Sequence, residues 1–343
     1  MSTSEAGPRR WHAPAAPAAG SHIAWPQAFG TRFILCVDTE EEFDWSAPFR
    51  REGWGTRAMS ALPAAHRRFR DRRVPVTYLI DYPIATDPAS VDALRAILSD
   101  GVSEVGTQLH PWVNPPFDEA VDLQNSFAGN LPRSLEAAKL DRLDGAIAIA
   151  FGRAARVYRA GRYGIGPDTL SLLAARGYRV DTSMRSAYDY RAQGGPDFSA
   201  VPNHGYRTGA AGSLIELPLT TVFTGQLRRW GRPLHRIAAR VPKGRGVLSR
   251  LRLVNRVALT PEDMPLREAL EAIRIAVGEG VRLLNFSYHS PTVVPAYTPY
   301  VRDAAELAGF WQWWDAVLDL LDRLGVTPAS MDQVIAAADA ALP

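Results

Sequence analysis

Cysteine is almost absent: among 343 residues there is one, Cys36. A single thiol excludes an intrachain disulfide and any thiolate metal cage, and its place inside an apolar run makes it a core residue. Long apolar runs are missing as well, since no stretch reaches the ~18 consecutive apolar residues that a spanning helix needs. Charge of one sign is scarce. Lys and Arg number 39 against 36 Asp and Glu, a net charge of +3, which is too small to announce a nucleic-acid binder. The N-terminus has Arg9 and Arg10 but no apolar segment after them, only Trp11-His12-Ala13-Pro14-Ala15-Ala16-Pro17, so the h-region of a secretory signal is lacking. Residues 1–28 are therefore expected to form a disordered Pro/Ala-rich leader, and the protein to be cytoplasmic. What is present is an ordinary globular composition, 46% hydrophobic and 22% charged, with length enough for a large core.

The most informative stretch is Phe33-Ile34-Leu35-Cys36-Val37-Asp38-Thr39-Glu40-Glu41-Glu42-Phe43-Asp44-Trp45. Five apolar residues read as a buried strand and run directly into five acidic side chains. In α/β proteins the carboxyl edge of the sheet is where ligands bind, and a buried carboxylate there is costly unless a cation meets it. A strand followed by a solvated acidic turn is the plainer reading.

Beyond it the chain alternates. Ala58 to Arg73 has helical spacing and a basic face, Val74 to Ile80 is a second buried strand, and Ser90 to Ser99 a helix. A short strand over 103–106 leads into Thr107-Gln108-Leu109-His110-Pro111-Trp112. Helix 134–152, strand 155–160, helix 167–176 and strand 178–181 follow. Such a βαβα rhythm predicts parallel strands with helical crossovers, as a doubly wound sheet or a barrel. The rhythm breaks over about 185–260, an irregular, Arg-rich insertion with one strand at 214–219. Its 226–256 segment reads as a solvated basic face or, alternatively, as a weak docking patch for an anionic glycan or a membrane surface. Helix 265–279, strand 281–288, a long amphipathic helix 304–324 and a closing segment 326–341 complete one domain over 29–343.

Strand ends carry the residues that chemistry needs: Asp38 with Glu40, Gln108 with His110, Arg159 with Arg162, and His289. Parallel strands bring their carboxyl ends to one face, so these groups are expected to converge. Carboxylate oxygen and imidazole nitrogen suit a divalent metal, giving Glu40 and His110 as ligands with positions left open for water and a carbonyl oxygen. Asp38 then serves as general base, held ionised by Arg159, while His289 protonates the leaving group. Glu41 points away from Glu40 if the strand stays extended, but a turn beginning at Thr39 reverses that, so either acid is a candidate ligand.

Five motifs together resemble the polysaccharide deacetylases with the NodB homology domain, in their WalW-like branch. They are Val37-Asp38-Thr39-Glu40, Glu104-Val105-Gly106-Thr107-Gln108-Leu109-His110-Pro111-Trp112, Tyr158-Arg159-Ala160-Gly161-Arg162-Tyr163, Gly177-Tyr178-Arg179-Val180-Asp181-Thr182-Ser183 and Phe286-Ser287-Tyr288-His289-Ser290-Pro291. The resemblance implies a distorted (β/α) barrel of about seven parallel strands and a metal-dependent hydrolase, zinc foremost, that removes N- or O-acetyl groups from a glycan or glycan precursor. It places the base on Asp38, the metal acid on Glu40, the arginine on Arg159, the acid on His289 and the residue orienting that acid on Asp181. Gln108 stands where the family has a second histidine, and Gly161 where it has proline. An amide oxygen is a poorer zinc ligand than imidazole, so Gln108 should weaken binding or favour harder metals. His204 is a spare imidazole in the insertion. Two other readings compete: a glycan-binding relative without metal, and a metal-free glycoside hydrolase using Glu40 and Glu42.

Overall fold

The computed structural model describes residues 17 and 19–341. Its strands are β1 (Arg32–Thr39), β2 (Val76–Ile80), β3 (Glu104–Leu109), β4 (Val157–Ala160), β5 (Val180–Asp181), β6 (Tyr206–Thr208), β7 (Leu214–Glu216), β8 (Thr221–Thr224), β9 (Asn255–Ala258), β10 (Leu283–His289) and β11 (Thr327–Pro328). The main sheet runs β10-β1-β2-β3-β4-β5-β7 in parallel, with β6 antiparallel on its edge and β11 beside β1. Helices α1 (Leu62–Asp71), α2 (Tyr82–Thr86), α3 (Pro88–Leu98), α4 (Arg133–Phe151) and α5 (Thr169–Ala175) occupy the first crossovers. The β8–β9 hairpin carries α6 (Gly231–Ala238) and α7 (Gly244–Arg250), and α8 (Leu266–Gly278), α9 (Ala304–Arg323) and α10 (Met331–Ala340) finish the chain. Among the described residues no helix is long and apolar enough to cross a membrane.

The sheet curls because its ends are drawn together. The Asn285 N–H donates to the Thr220 hydroxyl at 2.9 Å, and the Ser287 N–H to the Leu259 carbonyl at 3.2 Å. Segments flanking the hairpin thus bridge β10 to the far side, giving the distorted barrel with its parallel run of seven strands.

Side-chain parity then divides the core in two. Phe33, Leu35 and Val37 face outward into the layer that holds Tyr78, Phe286 and Trp314. Ile34 and Cys36 face inward with Leu79, Val157, Val180, Ile215 and Leu283. Both faces being buried explains the unbroken apolar run of β1. The inner cluster is plugged by Met331, Val334, Ile335 and Ala338 of α10, whose start is fixed by a capping box between Ser330 and Gln333. Carrying the same parity forward puts Asp38 on β1, Arg159 on β4 and His289 on β10 at the opposite, carboxyl end of the interior.

Several expected boundaries shift for local reasons. The helix expected at Ser90 begins at Pro88, because the Asp87 carboxylate accepts from the Ser90 N–H at 3.0 Å and proline suits the first turn. The strand expected over 103–106 extends to Leu109, since β2 and β4 pair with it on both sides. The 185–260 region is not irregular throughout: it holds β6 to β9, α6 and α7. Of the expected leader, residues 1–16 and 18 lie outside the described residues. Further along that stretch the chain packs, with the Ile23 N–H on the Gly205 carbonyl at 3.0 Å and Ile23 and Phe29 buried.

Candidate active site

At the carboxyl edge the strands open into a cavity of about 420 Å³. Asp38, Glu40, Gln108, His110 and His289 stand at its base, and Trp45 and Tyr300 among its walls. Larger cavities, about 510 and 580 Å³, lie elsewhere; only chemistry distinguishes this one, because it gathers the buried titratable groups.

Asp38 is buried and its Oδ1 accepts from Arg159 Nη1 at 2.5 Å. Arg159 is itself locked, donating from Nε to the Thr182 carbonyl at 3.1 Å and from Nη2 to the Thr182 hydroxyl at 3.2 Å. The other Asp38 oxygen lies 3.8 Å from His289 Nε2. A fixed guanidinium on one oxygen and an imidazole near the other leave a carboxylate oriented toward the cavity.

His289 is set by Glu262, which the sequence reading missed. Nδ1 of His289 is 2.7 Å from Glu262 Oε2, while Glu262 Oε1 accepts from the His289 N–H at 2.9 Å and from the Thr292 hydroxyl at 2.6 Å. Burial alone would lower the imidazolium's pKa; the carboxylates of Glu262, Glu40 and Asp38 outweigh it and raise the group to about 10. The ring is further held edge-on to Trp45 and stacked on Tyr300, with centroids 5.0 and 6.1 Å away. The one available sequence signal for Glu262 was its position: it is the first carboxylate after Glu216, in the turn that precedes α8.

Asp181, to which the resemblance assigns the orienting of His289, does not meet it. Asp181 accepts from the Ser183 N–H at 3.0 Å and pairs in register with Glu216 on β7. Burial, and for Glu216 also the facing Asp181, raises both carboxyls above their ordinary values. His204 is likewise elsewhere, stacked on His22 with ring centroids 5.7 Å apart.

His110 joins two acidic groups of different kind. Its Nδ1 bonds Glu41 Oε2 at 2.8 Å, and Glu41 Oε1 accepts from Trp112 Nε1 at 2.7 Å. Its Nε2 faces Glu40 Oε2 at 3.5 Å. The chain turns after β1, so Glu40 faces the cavity and Glu41 turns behind the imidazole, where its N–H donates to Asp81 Oδ2 at 2.7 Å. Asp81 also caps α2 through the Ile84 N–H at 2.9 Å. Burial pushes Glu40 up to about 8 and Glu41 to about 7.

Two placements could hold a cation. Ligand atoms of Glu41, Asp81 and His110 all lie within 4.8 Å of one another, but the Glu41 and Asp81 oxygens already accept N–H donors, and that pocket is fully enclosed. On the cavity side the demand is unmet: Glu40 Oε1 and Gln108 Oε1 are buried acceptors with no hydrogen-bond donor. Nε2 of His110 is turned to the cavity side, 3.5 Å from Glu40 Oε2, and the burial that raises Glu40 to about 8 expresses the cost of charging that carboxyl there without a cation. A divalent cation resolves that arrangement, and a carboxylate, an imidazole and an amide oxygen are acceptable donors to one.

Gly161 makes room for this imidazole. A Cβ built on it would lie 2.2 Å from His110 Cδ2 and 2.7 Å from the Leu109 carbonyl oxygen. The next two residues, Arg162 and Tyr163, adopt left-handed backbone with φ of 55° and 61°, a strained turn beside the cavity. Arg162 lines the cavity wall and is tied by Nη2 to Gln193 at 2.6 Å.

No family model and no curated protein matches the chain. Solved structures match it in fold. A Mycobacterium smegmatis protein assigned as a polysaccharide deacetylase superposes with a TM-score of 0.51 at 16% identity over 95% of each chain. A Parabacteroides distasonis protein assigned as a glycoside hydrolase/deacetylase gives 0.53 at 12% identity, over 88% of this chain and 69% of that one. PuuE allantoinase gives 0.51 at 12% identity over 93% of each. The chain therefore has the NodB-like polysaccharide-deacetylase fold.

Proposed function

We propose that the protein is a metal-dependent carbohydrate deacetylase, cleaving an N- or O-acetyl group from a glycan or glycan precursor. The observation that carries this reading is the pair of donorless buried oxygens on Glu40 and Gln108 beside His110 Nε2. They flank Asp38 and His289 at the base of one cavity.

Glu40, His110 and Gln108 would hold the ion, with Glu41 fixing the imidazole from behind. Bound there, a divalent metal supplies Lewis acidity, polarising the acetyl carbonyl and acidifying a water. Gln108 in place of imidazole favours zinc less and oxygen-preferring metals more. Asp38, held in place by Arg159, takes the proton of the attacking water. His289, charged and held by Glu262, gives its proton to the departing nitrogen or oxygen as the bond to the acetyl carbon breaks. The products are acetate and the free amine or hydroxyl. Trp45 and Tyr300 offer flat apolar surface against which a sugar ring can lie.

The test is acetate release from N-acetylated and O-acetylated oligosaccharides by the purified protein. Acetate that disappears with a chelator and returns with a divalent metal is the expected result. Release of reducing sugar without acetate, or acetate release indifferent to chelation, would overturn the reading.

A further inference from the structure

The segment between β8 and β9 is unlike the rest of the molecule. Residues 226–256 contain nine arginines and Lys243, and the chain has no Asp or Glu from Leu217 to Pro261. Among the described residues, Arg228 is the one cation of this segment with an ion-pair partner, Glu279 at 3.9 Å. The near-neutral total of +3 hides a local excess of about ten charges on one excursion.

The same excursion exposes apolar side chains that the core does not use. Trp230, Ile237 and Val241 are 66%, 56% and 58% exposed, and Leu251 beyond α7 is 60% exposed. Trp230, Ile237 and Val241 are spaced as one stripe along α6 and its flanking turns. Arg229, Arg236 and Arg240 repeat the same spacing one residue earlier and are also exposed, so a basic row runs alongside the apolar one. Burial, with a smaller contribution from the nearby charges of Arg256 and Arg245, brings the half-buried His235 down to about 4.

We propose that α6 and α7 dock this protein on an anionic phospholipid surface, with Trp230, Ile237 and Val241 entering the headgroup boundary and the adjacent arginines meeting lipid phosphates. The charge decides between occupants. A second copy would set two such basic surfaces against each other, and a nucleic acid would leave the projecting apolar row in water. An anionic bilayer surface satisfies both rows at once. The docking element is joined to the catalytic cavity: Arg256 of β9 lies over the Tyr188 ring at 3.5 Å, Arg185 over the same ring at 4.0 Å, and Arg185 lines the cavity. The proposal stands apart from the deacetylase reading, because its test does not measure turnover.

The experiment is co-sedimentation of the full chain with phosphatidylcholine vesicles, with and without about 30 mol% phosphatidylglycerol, at about 0.1 M and about 1 M salt. Binding is expected on the anionic vesicles, weakened by salt. The variants Trp230→Ser with Ile237→Ser, and Arg236→Glu with Arg240→Glu, each lose it by ~10-fold or more, at about 1 kcal/mol per basic residue near the surface. All four positions are exposed, so an unchanged circular dichroism spectrum accompanies the loss. Absence of binding at the lower salt, equal binding to neutral vesicles, or variants that bind like the wild type overturn the proposal. Binding of a duplex oligonucleotide with anionic vesicles left unbound overturns it too.

Discussion

Asp38 and Glu40 are two residues apart, yet one is held by a guanidinium and the other faces an imidazole with an oxygen to spare. That difference assigns them different work. Asp38→Asn keeps the bond to Arg159 but removes the base, so turnover should fall by ~10²–10⁴ while the melting temperature stays near that of the wild type; a loss under tenfold in steady-state assays would remove Asp38 from the chemistry. Glu262 acts through His289, and its signature is a pH profile. Because the folded pKa of His289 is raised to about 10, the imidazole should remain a proton donor until the pH passes that value. The stability it contributes is full below the ordinary imidazole value and is lost as pH rises through about 10. Glu262→Gln removes the nearest carboxylate, so the alkaline limb of kcat/KM moves to lower pH; an unmoved limb would show that Glu262 is structural alone. Asp38, Glu40, His110, Arg159 and His289 could be grouped from the sequence because each sits at or just past the carboxyl end of a strand. Glu262 was not, because it comes from a turn and joins the site only through the closure of the barrel.

At the scale of elements, the site depends on what stands behind β3 and β4. Gly161 lets the His110 ring pass, so Gly161→Ala should displace the imidazole and weaken divalent-metal binding by ~10-fold or more. Calorimetric titration of metal into the variant checks this, and wild-type affinity would contradict it. The loop after β3 is held by Lys139 of α4, a fully buried ammonium donating to the carbonyls of Pro111, Asn114 and Pro116 at 2.9, 2.6 and 2.6 Å, with Glu119 at 3.1 Å. Lys139→Met leaves these acceptors unpaired and should cost about 3 kcal/mol in urea unfolding; a cost below about 1 kcal/mol would mean water replaces the clamp. Nothing in the periodicity of α4 announces that Lys139 faces inward, since a lysine in a helix ordinarily reads as surface. The short strands β6, β8 and β9 were missed for a related reason: three or four residues carry too little pattern, and their pairing is fixed by distant partners, whereas β7 falls within the strand expected at 214–219.

For the whole molecule, alternation was enough to read parallel strands with helical crossovers, because each buried strand of β1 to β4 is flanked by helices of recognisable spacing. The choice of a barrel over a doubly wound sheet came from the family resemblance. The barrel also explains why a single chain can place an apolar plug at one end and a charged cavity at the other: the inward parity is shared, and only the residue type changes along it. The account turns on whether the cavity end holds an ion between Glu40, His110 and Gln108. Metal content of the purified protein after dialysis, measured by mass spectrometry for the wild type and Glu40→Gln together, addresses this directly. About one divalent ion per wild-type chain, clearly reduced in Glu40→Gln, is the predicted result. No ion in the wild type, or equal occupancy in the two proteins, would contradict it.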